Sequence, residues 1–169
     1  MHTVDLNKVP EFYHKYIQRI KEETVIDAIN NLQQELNSFL NGIPEDKWLH
    51  KYAEGKWTIK EVVQHITDAE RIFCYRALCF SRNEKASLPG FEENDYVAAS
   101  NANNRSKESL LQELRTVQAA TLTLFNSFTE GQLNAQGIAN NNPIYVKGIG
   151  FIVAGHAKHH LEIIKERYL

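Results

Sequence analysis

Gly155-His156-Ala157-Lys158-His159-His160 lies inside a stretch, from about Val146 to Tyr168, that reads as one continuous helix. Three of the chain's seven histidines fall within five of these residues. A helical residue advances by about 100°, so His156 and His160 stand one turn apart and within roughly 40° of each other. The apolar side of the same helix is Ile149, Ile152, Val153, Ile163 and Ile164. The two histidines sit in the middle of it, with His159 on the flank. Polar groups turned into a core need partners. Imidazoles at i and i+4 can converge on one ion, and neutral imidazole is the commonest metal ligand. Inward-facing metal ligation gives this pair a reason.

The clearest helix start in the chain lies further back, at Trp57-Thr58-Ile59-Lys60-Glu61. Thr58 can cap the amide of Glu61 while the Glu61 carboxylate reaches back to the amide of Thr58, with Trp57 and Val62 as a hydrophobic staple. The helix runs to about Ser81, with Ile59, Val62, Val63, Ile66, Phe73, Ala77 and Phe80 as its inward stripe. His65 lies at one edge of that stripe, on the side of Ala69, Ile72 and Arg76, and Glu70 lies at the other. No other histidine outside the last helix occupies a comparable place. His2, His14 and His50 fall at the terminus, in a short first segment and in a connector. His65 is therefore the natural candidate to complete the set. Three imidazoles with one or two positions left to water describe an open, reactive site rather than a closed structural one.

Two further helices follow from the same periodicity. Val25, Ile29, Leu32, Leu36 and Phe39 or Leu40 predict one from about Thr24 to Leu40, stopped by Asn41-Gly42 and Pro44. A short helical segment before it, opening at Val9-Pro10 and carrying Phe12, Tyr16, Ile17 and Ile20, reads as the other half of one broken first helix. Leu110, Leu114, Val117, Thr121, Leu124 and Phe128 predict a helix from about Ser106 to Phe128, with Gly131 just beyond its end. Residues 82 to 104, with Pro89-Gly90-Phe91 and several asparagines, exceed the ~2–8 residues usual between bundle helices. A helical turn is expected there near Asp95 to Ala99. Gln132 to Pro143 reads as a polar connector, and no segment of strand period appears. The expectation is one all-α domain over residues 1–169, a four-helix bundle with its ligand site between facing helices. Long connections leave both up-up-down-down order and simple alternation open.

Composition narrows the function. The 169 residues are 43% apolar and 24% charged, with net charge −2, ordinary for a soluble protein. Lys and Arg are spread along the chain, which argues against a nucleic-acid partner. No apolar run approaches the ~20 residues of a membrane span, and Met1 to Pro10 lacks the apolar core of a secretory signal. Cys74 and Cys79 lie five apart on one predicted helix and point to different faces. They read as small apolar residues in a reducing cytoplasm.

Several of these residues carry a resemblance. Gly55-Lys56-Trp57-Thr58, then Val62-Val63-Gln64-His65-Ile66-Thr67-Asp68-Ala69-Glu70-Arg71-Ile72-Phe73, resemble the DinB superfamily. Tyr75-Arg76-Ala77-Leu78, Leu88-Pro89-Gly90-Phe91, Tyr96-Val97 and the closing Ala154-Gly155-His156 to His159-His160 do so as well. The likeness runs in order from Pro10 to Leu169. It implies a four-helix bundle of up-down-down-up type, with a short extra N-terminal segment. It implies a divalent metal, nickel or zinc, on one histidine of the second helix and two of the fourth, which here are His65, His156 and His160. Tyr145 stands where many relatives place a Ser cap for the last helix. The resemblance further implies pairing into a homodimer, through a face that no residue indicates.

What the resemblance implies about activity is divided between transferases or isomerases that use a low-molecular-weight thiol and metal-dependent hydrolases. From the residues, a metal-dependent enzyme would use the ion to activate a thiol or water toward a small-molecule substrate. No carboxylate other than Glu70 presents itself as a general base, which ranks thiol transfer above hydrolysis. Arg76 is a candidate for binding the carboxylate of a peptide-like thiol or for an ion pair with a neighbouring helix. Phe91 and Tyr96 are candidates for a pocket lid, and His159 for a residue beside the ligands. Gln118 and Thr121 interrupt the inward face of the third helix. The alternative is a non-catalytic metal- or ligand-binding bundle protein.

Overall fold

The chain is described by a computed structural model over residues 4–169; His2 lies outside the described residues. Its longest helix, α3 (Ile59–Ser81), opens with the expected reciprocal cap. The Glu61 amide donates to Thr58 Oγ1 at 3.1 Å, and the Thr58 amide donates to Glu61 Oε2 at 2.8 Å. The other main helices are α2 (Val25–Gly42), α5 (Lys107–Asn126) and α7 (Val146–Arg167). Thr24 caps α2 and Ser106 caps α5 through their side chains. Asn41-Gly42 close α2 as expected, with Gly42 its last residue. The helix ends at Ile43, held extended (φ −71°, ψ 125°) by the following Pro44. Short helices lie at His14–Ile17 (α1), Glu93–Ala99 (α4) and Glu130–Leu133 (α6).

Side-chain pairs give the helix directions. Glu35 of α2 holds both Lys158 and Lys165 of α7, and Val25 abuts Gly150, so α2 and α7 run parallel. Gln64 meets Arg105 just before α5, Arg71 meets Glu113 and Cys74 meets Thr121, so α3 and α5 also run parallel. His65 faces His160 while Phe73 faces His156, which makes α3 and α7 antiparallel. The order is up-down-down-up. Two consecutive main helices that run parallel need a return path as long as themselves, and that accounts for the length of the 82–106 crossover. Among the described residues no helix is long and apolar enough to cross a membrane.

The crossover is fastened at several points. Asn103 Nδ2 donates to Glu61 Oε1 at 2.8 Å, and the buried Lys60 donates to the Arg105 carbonyl at 2.5 Å. Arg76 Nη2 donates to the Pro89 carbonyl at 2.9 Å. The connector after α5 is not purely irregular, which corrects the expectation of no strand. Gln136–Ala139 (β1) pairs antiparallel with Asn142–Tyr145 (β2). The two-residue turn is Asn140-Asn141, at φ 50° and 61°, the left-handed pair that a tight hairpin demands and asparagine tolerates. Leu88 of the crossover bonds to β1 on both sides of Ala139, to the Ile138 carbonyl and the Asn140 amide, each at 2.9 Å. Gly131 is no stop signal; it lies within α6, which Thr129 and Gln132 cap reciprocally.

α1 is not half of a broken first helix. Residues 18–24 separate it from α2, and it packs against α7. The contact is backbone to backbone at Gly155, where a Cβ would lie 2.2 Å from the Tyr16 carbonyl oxygen. Arg19 then pairs with Glu162. This close approach sets the Tyr16 ring 5.6 Å from His156 and 5.3 Å from His159. Ala at a helical Gly position gains about 1 kcal/mol of propensity, but overpacking against a fixed backbone costs about 1–3 kcal/mol. With the clash made against fixed backbone, Gly155→Ala is expected to lower the denaturant midpoint by a net destabilisation of up to about 2 kcal/mol. An unchanged or raised midpoint would show that α1 is not held at this contact.

Candidate metal centre

α3 and α7 bring His65, His156 and His160 together between them. His156 Nε2 lies 3.0 Å from His65 Nε2 and 3.1 Å from His160 Nε2, and one ligand atom from each of the three falls within 4.8 Å of the others. His65 and His156 are buried, and His160 is partly so. Burial pushes the His65 imidazolium pKa down to about 4. Burial also depresses His156 and His160, and the neighbouring imidazoles add to the effect in both. All three rings are thus neutral at pH 7, the form that presents a lone pair.

The arrangement suits a cation better than a hydrogen-bonded cluster. An imidazole nitrogen carries either one proton or one lone pair, yet His156 Nε2 faces two others at once. Two nitrogens each about 2.1 Å from one ion stand roughly 3.0 Å apart at a right angle and roughly 3.4 Å apart at the tetrahedral angle. The observed 3.0 and 3.1 Å separations fall in this range. The donor set, three imidazoles and no thiolate, suits zinc, nickel, copper and iron alike.

Two clefts reach the triad. One, of about 290 Å³, opens on His65 and His156 and has Tyr13, Phe73, Arg76, Phe91 and Glu93 among its walls. The other, of about 230 Å³, opens on His160, with Tyr52, Trp57, Asn94 and Tyr168 beside it. α4 supplies a residue to each, Glu93 to the first and Asn94 to the second. Glu93 Oε2 stands 3.8 Å from His65 Nε2. Trp57 lies over the His65 ring at 4.9 Å between centroids. The Tyr16 phenol, whose pKa is raised by burial and then by Glu93, lies in the first cleft against His156.

The sequence profile of the DinB superfamily matches residues 28–164. The chain belongs to the DinB superfamily. A protein of Geobacillus thermodenitrificans named "Putative metal-dependent hydrolase" is 26% identical over 167 residues, covering 95% of this chain and 93% of that one. Among solved structures, YfiT from Bacillus subtilis, titled "a probable metal-dependent hydrolase with an unusual four-helix bundle topology", is similar with a TM-score of 0.70 at 16% identity. It covers 98% of this chain and 91% of its own. A mycothiol-dependent maleylpyruvate isomerase is similar with a TM-score of 0.70 at 10% identity, over 86% of this chain and 61% of that one. At these identities the two structures speak for the fold.

Within this DinB bundle the other sequence candidates separate. Arg76 lines the first cleft, and Phe91 does too. Tyr96 does not; it is exposed and packs behind Phe91 at 5.1 Å. His159 lies 5.2 Å from the His160 ring and 5.3 Å from Tyr16, beside the triad but with no place in the converging set. Glu70 is not at the centre. Five residues on from His65, it points roughly 140° away, into the core among Leu32, Gln118, Val153 and Ala157. The carboxylate beside the histidines is Glu93, which the sequence reading missed by starting the crossover's helical turn at Asp95. With Glu93 in place, the lack of a base no longer ranks transfer above hydrolysis. Cys74 is no nucleophile, since burial pushes its thiol up to about 12.

Glu70 Oε1 is buried without a hydrogen-bond partner. Burial raises its carboxyl from 4.5 to about 7, and only the nearby Thr121 hydroxyl acts the other way. Between those two values the folded chain binds more protons than the unfolded one. Stability is therefore fully present below pH 4.5 and lost as pH rises through about 7. Glu70→Gln should remove this dependence. Its advantage over the wild type in urea unfolding should grow from less than about 1 kcal/mol at pH 5 to on the order of 3 kcal/mol at pH 8. Parallel stability curves for the two proteins would contradict the assignment.

Proposed function

We propose that this protein is a metal-dependent enzyme in which His65, His156 and His160 hold one divalent ion, zinc or nickel, beside a cleft where a small nucleophile attacks an organic substrate. The observation that supports this above all is the convergence of three neutral imidazole nitrogens at the wall of an open cleft. When bound, such an ion lowers the pKa of water or of a thiol toward neutrality and supplies a nucleophile at pH 7. Glu93, 3.8 Å from His65 Nε2 on the cleft side, is placed to accept the nucleophile's proton. Tyr16 and Trp57 pack on the ligand rings and hold their orientation.

With Glu93 as base, water suffices as nucleophile, and the name of the Geobacillus relative agrees with hydrolysis. The second cleft, at His160, favours a low-molecular-weight thiol as a second organic reactant. Two approaches to one centre leave room for thiol and electrophile on opposite sides of α4. The structural neighbour that depends on mycothiol fits this reading. Both routes share the triad and the proton acceptor, so a single set of variants tests them.

Untagged protein is expected to carry about one equivalent of divalent metal, lost in each of His65→Ala, His156→Ala and His160→Ala. Glu93→Gln should keep the metal and lose roughly 10²- to 10⁴-fold in turnover, assayed with activated esters and with thiol and electrophile pairs. Wild-type protein that neither carries nor takes up metal would remove the proposal. A loaded centre inactive toward both reaction classes would make the bundle a binding protein.

A further inference from the structure

The first cleft has a second pole. Arg76 lies eleven residues after His65 on α3, about 16 Å further along the helix axis, and its side chain leans back toward the helix N-terminus. It is 5% exposed. Nη2 donates to the Pro89 carbonyl at 2.9 Å, and the guanidinium also hydrogen-bonds the Tyr13 phenol, which lies within electrostatic reach of Glu93. Among the described residues no carboxylate stands within ion-pair distance of this guanidinium. Arginine cannot shed its proton, and a buried charge without a counter-ion is costly.

The acids of the cleft wall do not supply that counter-ion. Glu92 turns to its own helix and accepts from the Asn94 amide at 3.3 Å, and Glu93 sits at the His65 end. A further cation, Lys15, stands on the same cleft with its ammonium 5.1 Å from the Tyr16 ring centroid. Between the poles the walls are aromatic: Phe12, Tyr13, Phe73 and Phe91. A guanidinium has five N–H donors, more than the Pro89 carbonyl and the Tyr13 phenol use, and both of those partners are neutral, so its charge is left for a carboxylate to match.

We propose that this cleft binds an organic carboxylate, its anionic group paired with Arg76, its apolar body between Phe73 and Phe91, and its reacting end toward His65 and His156. Only the last clause rests on the reading of the triad as a metal centre; the anion seat stands without it. A volume of about 290 Å³ accommodates one ring and a short chain. The pairing fixes which end of the substrate meets Glu93 and the histidines, so Arg76 is a specificity-determining residue.

The test uses the full chain, as purified and after chelation of metal, titrated with 3-phenylpropionate and with its neutral isostere 3-phenylpropionamide by amide NMR shifts. The acid should bind about tenfold or more tighter than the amide, equally before and after chelation. Arg76→Met should erase the preference, and Arg76→Lys should restore part of it, since an ammonium lacks the planar fork. Should Arg76→Met fail to fold, the wild-type comparison and Arg76→Lys still decide. Equal affinities, no binding of either probe, or a preference that survives Arg76→Met would overturn the seat. A preference lost on chelation would also overturn it, because the carboxylate would then be on the ion. Metal uptake measured in the same preparations keeps the two readings apart. Uptake without acid preference sinks the seat alone, and acid preference without uptake sinks the metal centre alone.

Discussion

The packing of α3 against α7 around three neutral imidazoles is the constraint that orders the rest of the bundle. To meet, His65 must face His160 while Phe73 faces His156, which requires the two helices to run antiparallel. With α2 parallel to α7 and α5 parallel to α3, every other helix direction is then fixed. The parallel pair α3 and α5 forces a long return, and α4 in that return carries Glu93 to His65. The opposite side of the centre is closed by α1, which can lie against α7 only because residue 155 has no side chain. Fold and site are thus one arrangement. The crossover that looks like a cost of the topology is the segment that equips the centre.

The sequence carried the helical half of this well. His156 and His160 at i and i+4 amid Ile149, Ile152 and Val153, and His65 on the edge of a helix with an explicit cap, follow from the 3.6-residue period alone. Contacts that depend on which segments meet in space are not written in any period. Glu93 reaches the triad only through tertiary placement of α4, and a seven-residue helix has too few turns to show a stripe. The role of Gly155 depends on Tyr16, 139 positions earlier in the chain. The hairpin was legible in principle, because Asn140-Asn141 between Ile138-Ala139 and Ile144-Tyr145 is a turn signal. Four-residue strands, however, are shorter than the window in which alternation declares itself. Glu70 was a different error, for helical arithmetic itself puts it far round from His65.

Glu70 and the triad show why burial of polar groups differs in meaning from place to place. Glu70 is a single acid turned into an apolar core with one oxygen unpartnered, and it meets that environment by holding its proton. The histidines are also neutral, but their nitrogens point at one another instead of at backbone or hydroxyl partners. By contrast, His14 Nε2 meets the Leu6 and Val9 carbonyls at 3.1 and 2.9 Å and ties down the N-terminal turns. A histidine placed for structure finds backbone acceptors. Three that converge on each other, away from backbone acceptors, form a set that could hold one shared cation.

Arg76 extends the same reasoning along the cleft. Nearly all the other charged pairs of the bundle are external ties: Arg19 with Glu162, Glu35 with two lysines, Glu113 with two arginines. Such exposed pairs contribute little each, whereas Arg76, like Lys60, is a buried cation whose protein partners are neutral, and of these two it is Arg76 that lines the cleft. Placed at one end of an aromatic cleft whose other end is the histidine triad, it gives the cleft a polarity. An apolar slot alone would admit a substrate in either direction. A fixed cation at one end favours the pose in which an anionic substrate pairs with Arg76, because the reverse pose sets its charge beside Glu93 and leaves Arg76 without a counter-ion. Orientation then follows from electrostatics before any atom reacts.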